Sequence, residues 1–225
     1  PVFHTRLVQP LAAAKDRARL GANRALGRDH AQLRGANAAR FGIGRRMAGT
    51  AHPAADDSII VWEPRSKPQE AFIACPVFEV FFGGARGSLK TDGVLGDWLS
   101  HSDLYGEDAI GLMVRKERTQ LIETIERSRA LYGPIGCTYH EQDKMWRFPN
   151  GARLRFAYLE RDQDADAYQG HSYTRIYVEE ITTFPDPKPI MKLMATLRSG
   201  AGVPCGFRAT GNPGGVGHHW VKARY

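Results

Sequence analysis

Short apolar segments of strand length alternate with longer segments of helical spacing from about residue 58 onward. FEVFF (78–82) is a continuous apolar run apart from one Glu, which is typical of a strand covered on both faces. AIGLMVRK (109–116), TRIYVEEITTF (174–184) and CGFRATGNPGG (205–215) predict three further buried strands. SIIVWEP (58–64) predicts a short strand or extended segment.

The segments between these strands predict helices. LKTDGVLGDWLSH (89–101) and ERTQLIETIERSRALYG (117–133) are amphipathic, and KPQEAFIAC (67–75) and PDPKPIMKLMATLRSG (185–200) predict shorter helices. The residues predicted to face inward are Val94, Leu95, Trp98 and Leu99 in the first, and Leu121, Ile122, Ile125 and Leu131 in the second.

The order of these elements predicts the fold class. Strands that alternate with helices imply an α/β fold with a mostly parallel sheet flanked by helices. Alternation on both sides of Asn150-Gly151 adds a β-hairpin insertion, and the polar segment RDQDADAYQGHSY (161–173) predicts a loop.

Three chemically unusual segments follow the predicted strands. They are the glycine-rich 83–91, the pair Glu179-Glu180, and 210–215. Because ligands of open α/β sheets bind beyond the carboxyl ends of the strands, we expect the three segments to converge on one site.

Charge divides the chain into two parts. Residues 1–50 contain ten Lys or Arg and two Asp or Glu, a net +8, whereas the remainder contains 21 basic and 22 acidic residues, a net −1. The basic composition of the whole chain therefore describes its beginning and does not indicate DNA binding by the core. Residues 1–57, rich in Ala, Arg and Gly, predict a disordered basic arm, and 58–225 predict one folded domain. A solvated linker is the favoured interpretation of the arm, and a contact with polyphosphate or DNA is the alternative.

Composition also excludes several classes of protein. The three cysteines are far apart and form no C-x-x-C pair, which argues against a disulfide framework or a zinc ribbon and favours a reducing cytoplasm. No run of eighteen apolar residues occurs, so no membrane span is predicted.

The glycine-rich segment GGARGSLKT has the chemistry of a phosphate-binding loop. Such a loop needs inward-facing backbone N–H groups and a helix N-terminus behind them. Lys90 can reach the β- and γ-phosphates, and Thr91 can place its hydroxyl on Mg²⁺. Leu89 stands where the pattern G-x-x-x-x-G-K-[ST] has glycine, so we expect nucleotide binding to be retained but weakened.

The acidic pair after IYV matches the second motif of such sites. Glu179 would hold Mg²⁺ through water, in place of the usual Asp, and Glu180 would polarise the attacking water. Alone, two acids at a strand end are more often merely solvated.

Four further residues have both a functional and an ordinary interpretation. Thr210 and Asn212 can contact a γ-phosphate or form a plain Asn-Pro-Gly turn. Arg86 can stabilise a transferring phosphoryl group or face solvent. Gln69 can contact an adenine edge or lie at the surface.

Taken together, KPQEAF, FFGGARGSLKT, YQGHSYTRIYVEEITTF and RATGNPGG resemble the ATPase domain of the large terminase subunit of tailed bacteriophages, a P-loop NTPase. The resemblance covers residues 58–225. It implies ATP and Mg²⁺ as cofactors, Gln69 at the adenine, Thr91 and Glu179 at the metal, and Glu180, Arg86 and Lys90 as catalytic residues. The implied ATP-binding loop comprises Gly84, Ala85, Arg86, Gly87, Ser88, Leu89, Lys90 and Thr91. The implied coupling motif comprises Thr210, Gly211 and Asn212.

The resemblance also implies a biological setting. It predicts a motor that moves double-stranded DNA into procapsids in the host cytoplasm, with a portal protein, a small terminase subunit and a homo-oligomeric ring as partners, and no membrane. No nuclease domain fits within the 225 residues, so DNA cleavage by this chain is not expected. Gln169 stands where some relatives carry an arginine that acts on a neighbouring subunit, so that contact is not expected from this position. The alternatives are another P-loop DNA motor, such as a helicase or recombinase-like ATPase, and a prophage remnant that has lost catalysis.

Overall fold

The structure is a computed structural model that describes residues 61–85 and 89–225. The predicted basic arm, residues 1–57, and the loop residues Arg86, Gly87 and Ser88 lie outside the described residues. The fold below belongs to the compact unit Pro64–Tyr225.

The described part of this unit is built on one seven-stranded sheet in the order β1-β7-β6-β2-β5-β4-β3. The first five strands in this order pair in parallel, and β4 and β3 are antiparallel additions at one edge. The strands are β1 Glu79–Gly83, β2 Ile110–Arg115, β3 Thr138–His140, β4 Met145–Arg147, β5 Arg153–Tyr158, β6 Arg175–Val178 and β7 Gly206–Gly211.

Five α-helices accompany the sheet in the described residues. They are α1 Lys67–Ala74, α2 Lys90–Tyr105, α3 Arg118–Tyr132, α4 Lys188–Met194 and α5 His218–Arg224. None of the described helices is both long and apolar enough to cross a membrane. The α/β class with a mostly parallel sheet is confirmed.

Strand residues alternate between two covered faces of the sheet. On one face, Leu112, Ile176 and Phe207 pack in a core cluster that includes Ile190 of α4 and Val221 of α5. On the other face, Tyr177 lies against Trp98 of α2, with ring centroids 6.5 Å apart. Because both faces are buried, the strands read as continuous apolar runs.

The hairpin at Asn150-Gly151 is also confirmed, with a different context for its second strand. β4 and β5 pair antiparallel, Gly151 has a φ of 88°, and the Asn150 carboxamide accepts a hydrogen bond from Ala152 N–H at 3.1 Å. However, β5 also pairs in parallel with β2, so it belongs to the main sheet. The hairpin therefore extends the sheet at its β5 edge.

Two local predictions were wrong. Ile122 is 50% exposed, because the buried positions of α3 follow Leu121 and Ile125 and leave Ile122 rotated toward solvent. The polar segment after β5 contains a 3₁₀ helix, Asp162–Tyr168, and is not an irregular loop. Its start is capped by Asp164, whose carboxylate accepts a hydrogen bond from Arg161 N–H at 2.9 Å.

Candidate functional site

The three chemically unusual segments meet at the carboxyl end of the parallel strands. β1 and β6 flank β7 on its two sides and run parallel to it, so the carboxyl ends of the three strands lie at the same end of the sheet. Gly83 is paired with Gly211, and Gly84 N–H donates to Gly211 O at 3.3 Å. The convergence expected from the strand ends is confirmed.

Leu89 begins α2 in a left-handed conformation, with φ 54° and ψ 32°. Glycine adopts this conformation without steric cost, whereas a side chain is strained there. The Leu89 side chain is 40% exposed and so does not fill the interior of the site. The departure from the glycine pattern therefore takes the form of backbone strain at the start of the helix.

Gln69 is fully buried and connects α1 to this strained residue. Its Nε2 donates to Leu89 O at 2.8 Å, and its Oε1 accepts from Arg65 N–H at 2.7 Å. Both ends of the carboxamide are thus engaged within the protein. Adenine contact by Gln69 stays a prediction, and the geometry adds a role in holding the loop.

Lys90 is buried at the centre of the site. Its Nζ donates to Gly84 O at 3.1 Å, to Ala85 O at 3.0 Å and to Asn212 Oδ1 at 2.8 Å. Burial lowers the pKa of Lys90, while the charges of Glu180 and Glu179 oppose this shift. The ammonium is therefore surrounded by oxygen atoms in the position where a phosphate-binding lysine is expected.

Glu179 is buried and accepts three side-chain hydrogen bonds. The donors are Thr91 Oγ1 at 2.5 Å, Thr124 Oγ1 at 2.7 Å and Arg115 Nε at 2.9 Å. Arg115 and Thr124 come from β2 and α3, and Thr91 comes from the first turn of α2. The carboxylate is compensated by a paired cation, as a buried charge requires.

Glu180 faces the turn that follows β7. Asn212 Nδ2 lies 3.0 Å from both carboxylate oxygens of Glu180, and Asn212 N–H donates to Oε2 at 3.2 Å. Glu180 has a φ of 50°, and its N–H donates to Thr210 Oγ1 at 3.4 Å. The carboxylate is thus held by the segment that the sequence singled out as a coupling motif.

Residues 79–208 match the sequence model of the family described as "Terminase large subunit, T4likevirus-type, N-terminal", which is more than half of the chain. The chain belongs to this family. A comparison with curated proteins gave no match for this terminase chain.

Solved terminase structures share the fold. The large terminase of a thermophilic bacteriophage is 18% identical and has a TM-score of 0.56, with 72% of this chain and 42% of that chain covered. The HK97 bacteriophage large terminase is 12% identical, with a TM-score of 0.55 and coverage of 72% and 38%. The large terminase of the same thermophilic bacteriophage in complex with ADP is 18% identical, with a TM-score of 0.51 and coverage of 66% and 38%. This terminase chain therefore spans about two fifths of the length of the structures it matches.

The structure of the terminase chain also shows contacts that the sequence did not reveal. Arg115 and Thr124 hold Glu179, and Arg127 forms an ion pair with Asp92 in the first turn of α2. The sequence did offer one indication for Arg115. It ends an apolar strand, and so it lies at the same carboxyl end of the sheet as Glu179 and Glu180. Thr124 and Arg127 carry no such signal, because nothing in an amphipathic pattern tells which polar residue reaches a neighbouring element.

Proposed function

We propose that this chain is the ATP-hydrolysing motor domain of a phage DNA-packaging terminase. The observation that carries the proposal is the single cluster in which Asn212 contacts both Lys90 and Glu180 while Thr91 contacts Glu179. These side chains come from three chain segments, and their chemistry matches phosphate binding, metal binding and water activation.

The phosphates would be held by the loop before α2. In the structure Lys90 Nζ is bonded to two loop carbonyls and to Asn212. The β- and γ-phosphate oxygens of ATP would replace some of these acceptors, because a charged phosphate is a stronger acceptor than a neutral amide. The N-terminus of α2 adds a favourable partial charge at the same place. The resemblance implies that the remaining contacts between the loop and the phosphates are made by Arg86, Gly87 and Ser88.

The residues beside the loop fit Mg²⁺. This ion prefers oxygen ligands and keeps several waters, so it needs only one or two protein groups. Thr91 donates its hydroxyl hydrogen to Glu179, which leaves the lone pairs of Thr91 Oγ1 for a cation. Glu179 would hold the ion through water. When bound, Mg²⁺ neutralises charge on the β- and γ-phosphates.

Glu180 would orient the attacking water. Its carboxylate is held by Asn212, which also contacts Lys90, so a change at the phosphates can reach Glu180 through one side chain. Thr182 Oγ1 donates to Asn212 O at 3.2 Å and fixes the backbone of the same turn. This arrangement supports a role for Thr210, Gly211 and Asn212 in coupling hydrolysis to movement.

The motor would move double-stranded DNA. It would act as a homo-oligomeric ring in the host cytoplasm, together with a portal protein and a small terminase subunit. Membership of the terminase family supports this assignment. Since residues outside 1–50 carry a net charge of −1, the basic segment 1–50 with its net +8 is the part of the chain best suited to contact phosphates of DNA.

Phosphate release from ATP with Mg²⁺ tests the proposal. The wild-type chain should turn over ATP, and Glu180→Gln should abolish turnover while it leaves ATP binding intact. Glu123→Gln, an exposed position on α3, is the matched control and should keep full activity. Full turnover by Glu180→Gln would overturn the assignment of this residue. Nucleotide binding without any turnover by the wild type would favour the prophage remnant.

Stimulation distinguishes the packaging motor from other DNA motors. Procapsids with the small terminase subunit should accelerate ATP turnover, whereas single-stranded DNA alone should not. Acceleration by single-stranded DNA without procapsids would favour a helicase or recombinase-like motor.

A further inference from the structure

A buried carboxylate lies in the first turn of α2, the helix that also carries Lys90 and Thr91. Asp92 is the third residue of α2, directly after Lys90 and Thr91, and it is only 5% exposed. Its two oxygens accept hydrogen bonds from Arg127, one from Nε at 2.6 Å and one from Nη2 at 2.8 Å. The pair is therefore bidentate, with the planar fork of the guanidinium matched to the carboxylate.

Asp92 has opposite effects on the helix and on a bound phosphate. A negative charge in the first turn stabilises the helix N-terminus. The same charge would repel a polyphosphate bound at this helix N-terminus, because like charges repel. The N-cap residue Leu89 provides no side-chain hydrogen bond to this turn. The first turn therefore depends on contacts from other elements.

Arg127, which lies outside α2, compensates the charge of Asp92. It lies on α3 and is cationic like any arginine. Hydrogen bonding to Asp92 raises its pKa further, against the effect of burial. With its charge neutralised, Asp92 no longer opposes the phosphates.

We propose that Arg127 is a positioning residue that neutralises Asp92 and thereby sets the affinity of the α2 N-terminus for highly charged nucleotides. This inference rests on the proposed function, since it assumes that a nucleoside triphosphate binds at this helix. In this proposal Arg127 acts through Asp92, with which it forms two hydrogen bonds.

The competing explanation is that the ion pair only holds α2 in place, as a mechanical clamp. The two explanations differ in how nucleotide affinity responds to the charge of Asp92 and to the charge of the ligand. If Arg127 serves charge neutralisation, the variant Arg127→Met should be rescued by a second change, Asp92→Asn. If the ion pair only fixes the position of α2, the loss of affinity should be the same for ATP, ADP and AMP, because a displaced helix does not distinguish ligands by their charge.

The experiment measures affinities for ATP, ADP and AMP by calorimetry without Mg²⁺ and again with Mg²⁺. Arg127→Met should weaken ATP binding about tenfold, and ADP and AMP binding progressively less, since repulsion grows with ligand charge. Arg127→Met with Asp92→Asn should return ATP affinity to within about twofold of wild type. Arg129→Met removes a cation from the same helix, where the partner Glu141 is 73% exposed, and should leave ATP affinity unchanged.

Two results would overturn the inference: equal losses for the three nucleotides, or a double variant as weak as Arg127→Met. Circular dichroism and thermal melting check the fold of each variant. If Arg127→Met does not fold, Asp92→Asn alone decides, because neutralisation predicts unchanged or tighter ATP binding and a clamp predicts weaker binding. A wild-type chain that binds no ATP would instead refute the proposed function itself.

Discussion

Lys90 Nζ donates a hydrogen bond to Asn212 Oδ1 at 2.8 Å, although the two residues lie 122 positions apart in the chain. The other end of the same carboxamide, Nδ2, contacts both carboxylate oxygens of Glu180. An amide has one acceptor end and one donor end, and here each is matched to a group of suitable charge. Asn212 therefore connects the proposed phosphate lysine to the proposed water-activating acid.

Replacement of Asn212 by Asp tests this connection. The new carboxylate still pairs with Lys90, but it repels Glu180 and offers no hydrogen for it. We expect ATP turnover to fall by about a hundredfold, the size typical for a lost general-base contribution, and ATP binding to weaken by a smaller factor, because the new carboxylate beside Lys90 also repels the phosphates. Steady-state phosphate release and calorimetric ATP binding are the measurements. An equal loss in binding and turnover would show that Asn212 acts only through Lys90.

Leu89→Gly should relieve the strain at the start of α2. A left-handed residue with a side chain costs about 1–2 kcal/mol, which glycine avoids, so we expect the free energy of unfolding to rise by about 1 kcal/mol. ATP affinity should rise with it, because the loop would no longer be held in a strained turn. Leu89→Ala is the control, since it shortens the side chain and keeps the strained Cβ. Urea unfolding and ATP titration compare the variants, and equal behaviour of Gly and Ala would contradict the explanation by strain.

Gln69→Glu distinguishes loop support from adenine recognition. The change removes the Nε2 donor to Leu89 O, which keeps only the hydrogen bond from Gly93 N–H, and places a carboxylate in a buried position, at a cost of about 1–3 kcal/mol in unfolding free energy. Since both ends of the wild-type amide are engaged, we expect the affinities for ATP and GTP to fall in parallel. A loss confined to ATP would instead assign Gln69 to the adenine. Competition binding with the two nucleotides provides the comparison.

His101 should make the stability of the domain depend on pH below neutrality. Burial lowers the pKa of His101 well below its ordinary value of 6.5, and the charges of Arg175 and Arg208 lower it further. Tyr105 and Trp98 of its own helix also face the ring, and Thr174 Oγ1 lies 2.8 Å from Nε2.

The sign follows from proton uptake. Below pH 6.5 the unfolded chain protonates this histidine and the folded chain does not, so the unfolded state binds more protons and unfolding becomes easier as the pH falls. The slope reaches at most about 1.4 kcal/mol per pH unit. His101→Gln should flatten the pH dependence of urea unfolding between the folded pKa and 6.5. An unchanged slope in this variant would mean that other groups control it.

Sequence alone determined the class of fold and placed the site at the carboxyl ends of the parallel strands. The continuous apolar runs indicate strands buried on both faces, because a sheet covered on both sides leaves few positions for polar residues. Lys90, Thr91, Glu179 and Glu180 were found because each follows the end of such a strand. Local pattern was sufficient for these, since strand ends in a parallel sheet meet at the same edge.

Only the tertiary structure decided which side chains touch. Arg115 and Thr124 reach Glu179 across 64 and 55 positions, and Arg127 reaches Asp92 across 35. Strand order brings β2 beside β6 and carries α3 over α2, and no local periodicity encodes that order. Ile122 shows the same limit, because its place on α3 was read from hydrophobicity while the packing of the helix turned it to solvent. Contacts between distant segments depend on the packing of the whole sheet, which is why the partners of Asn212 became visible only in three dimensions.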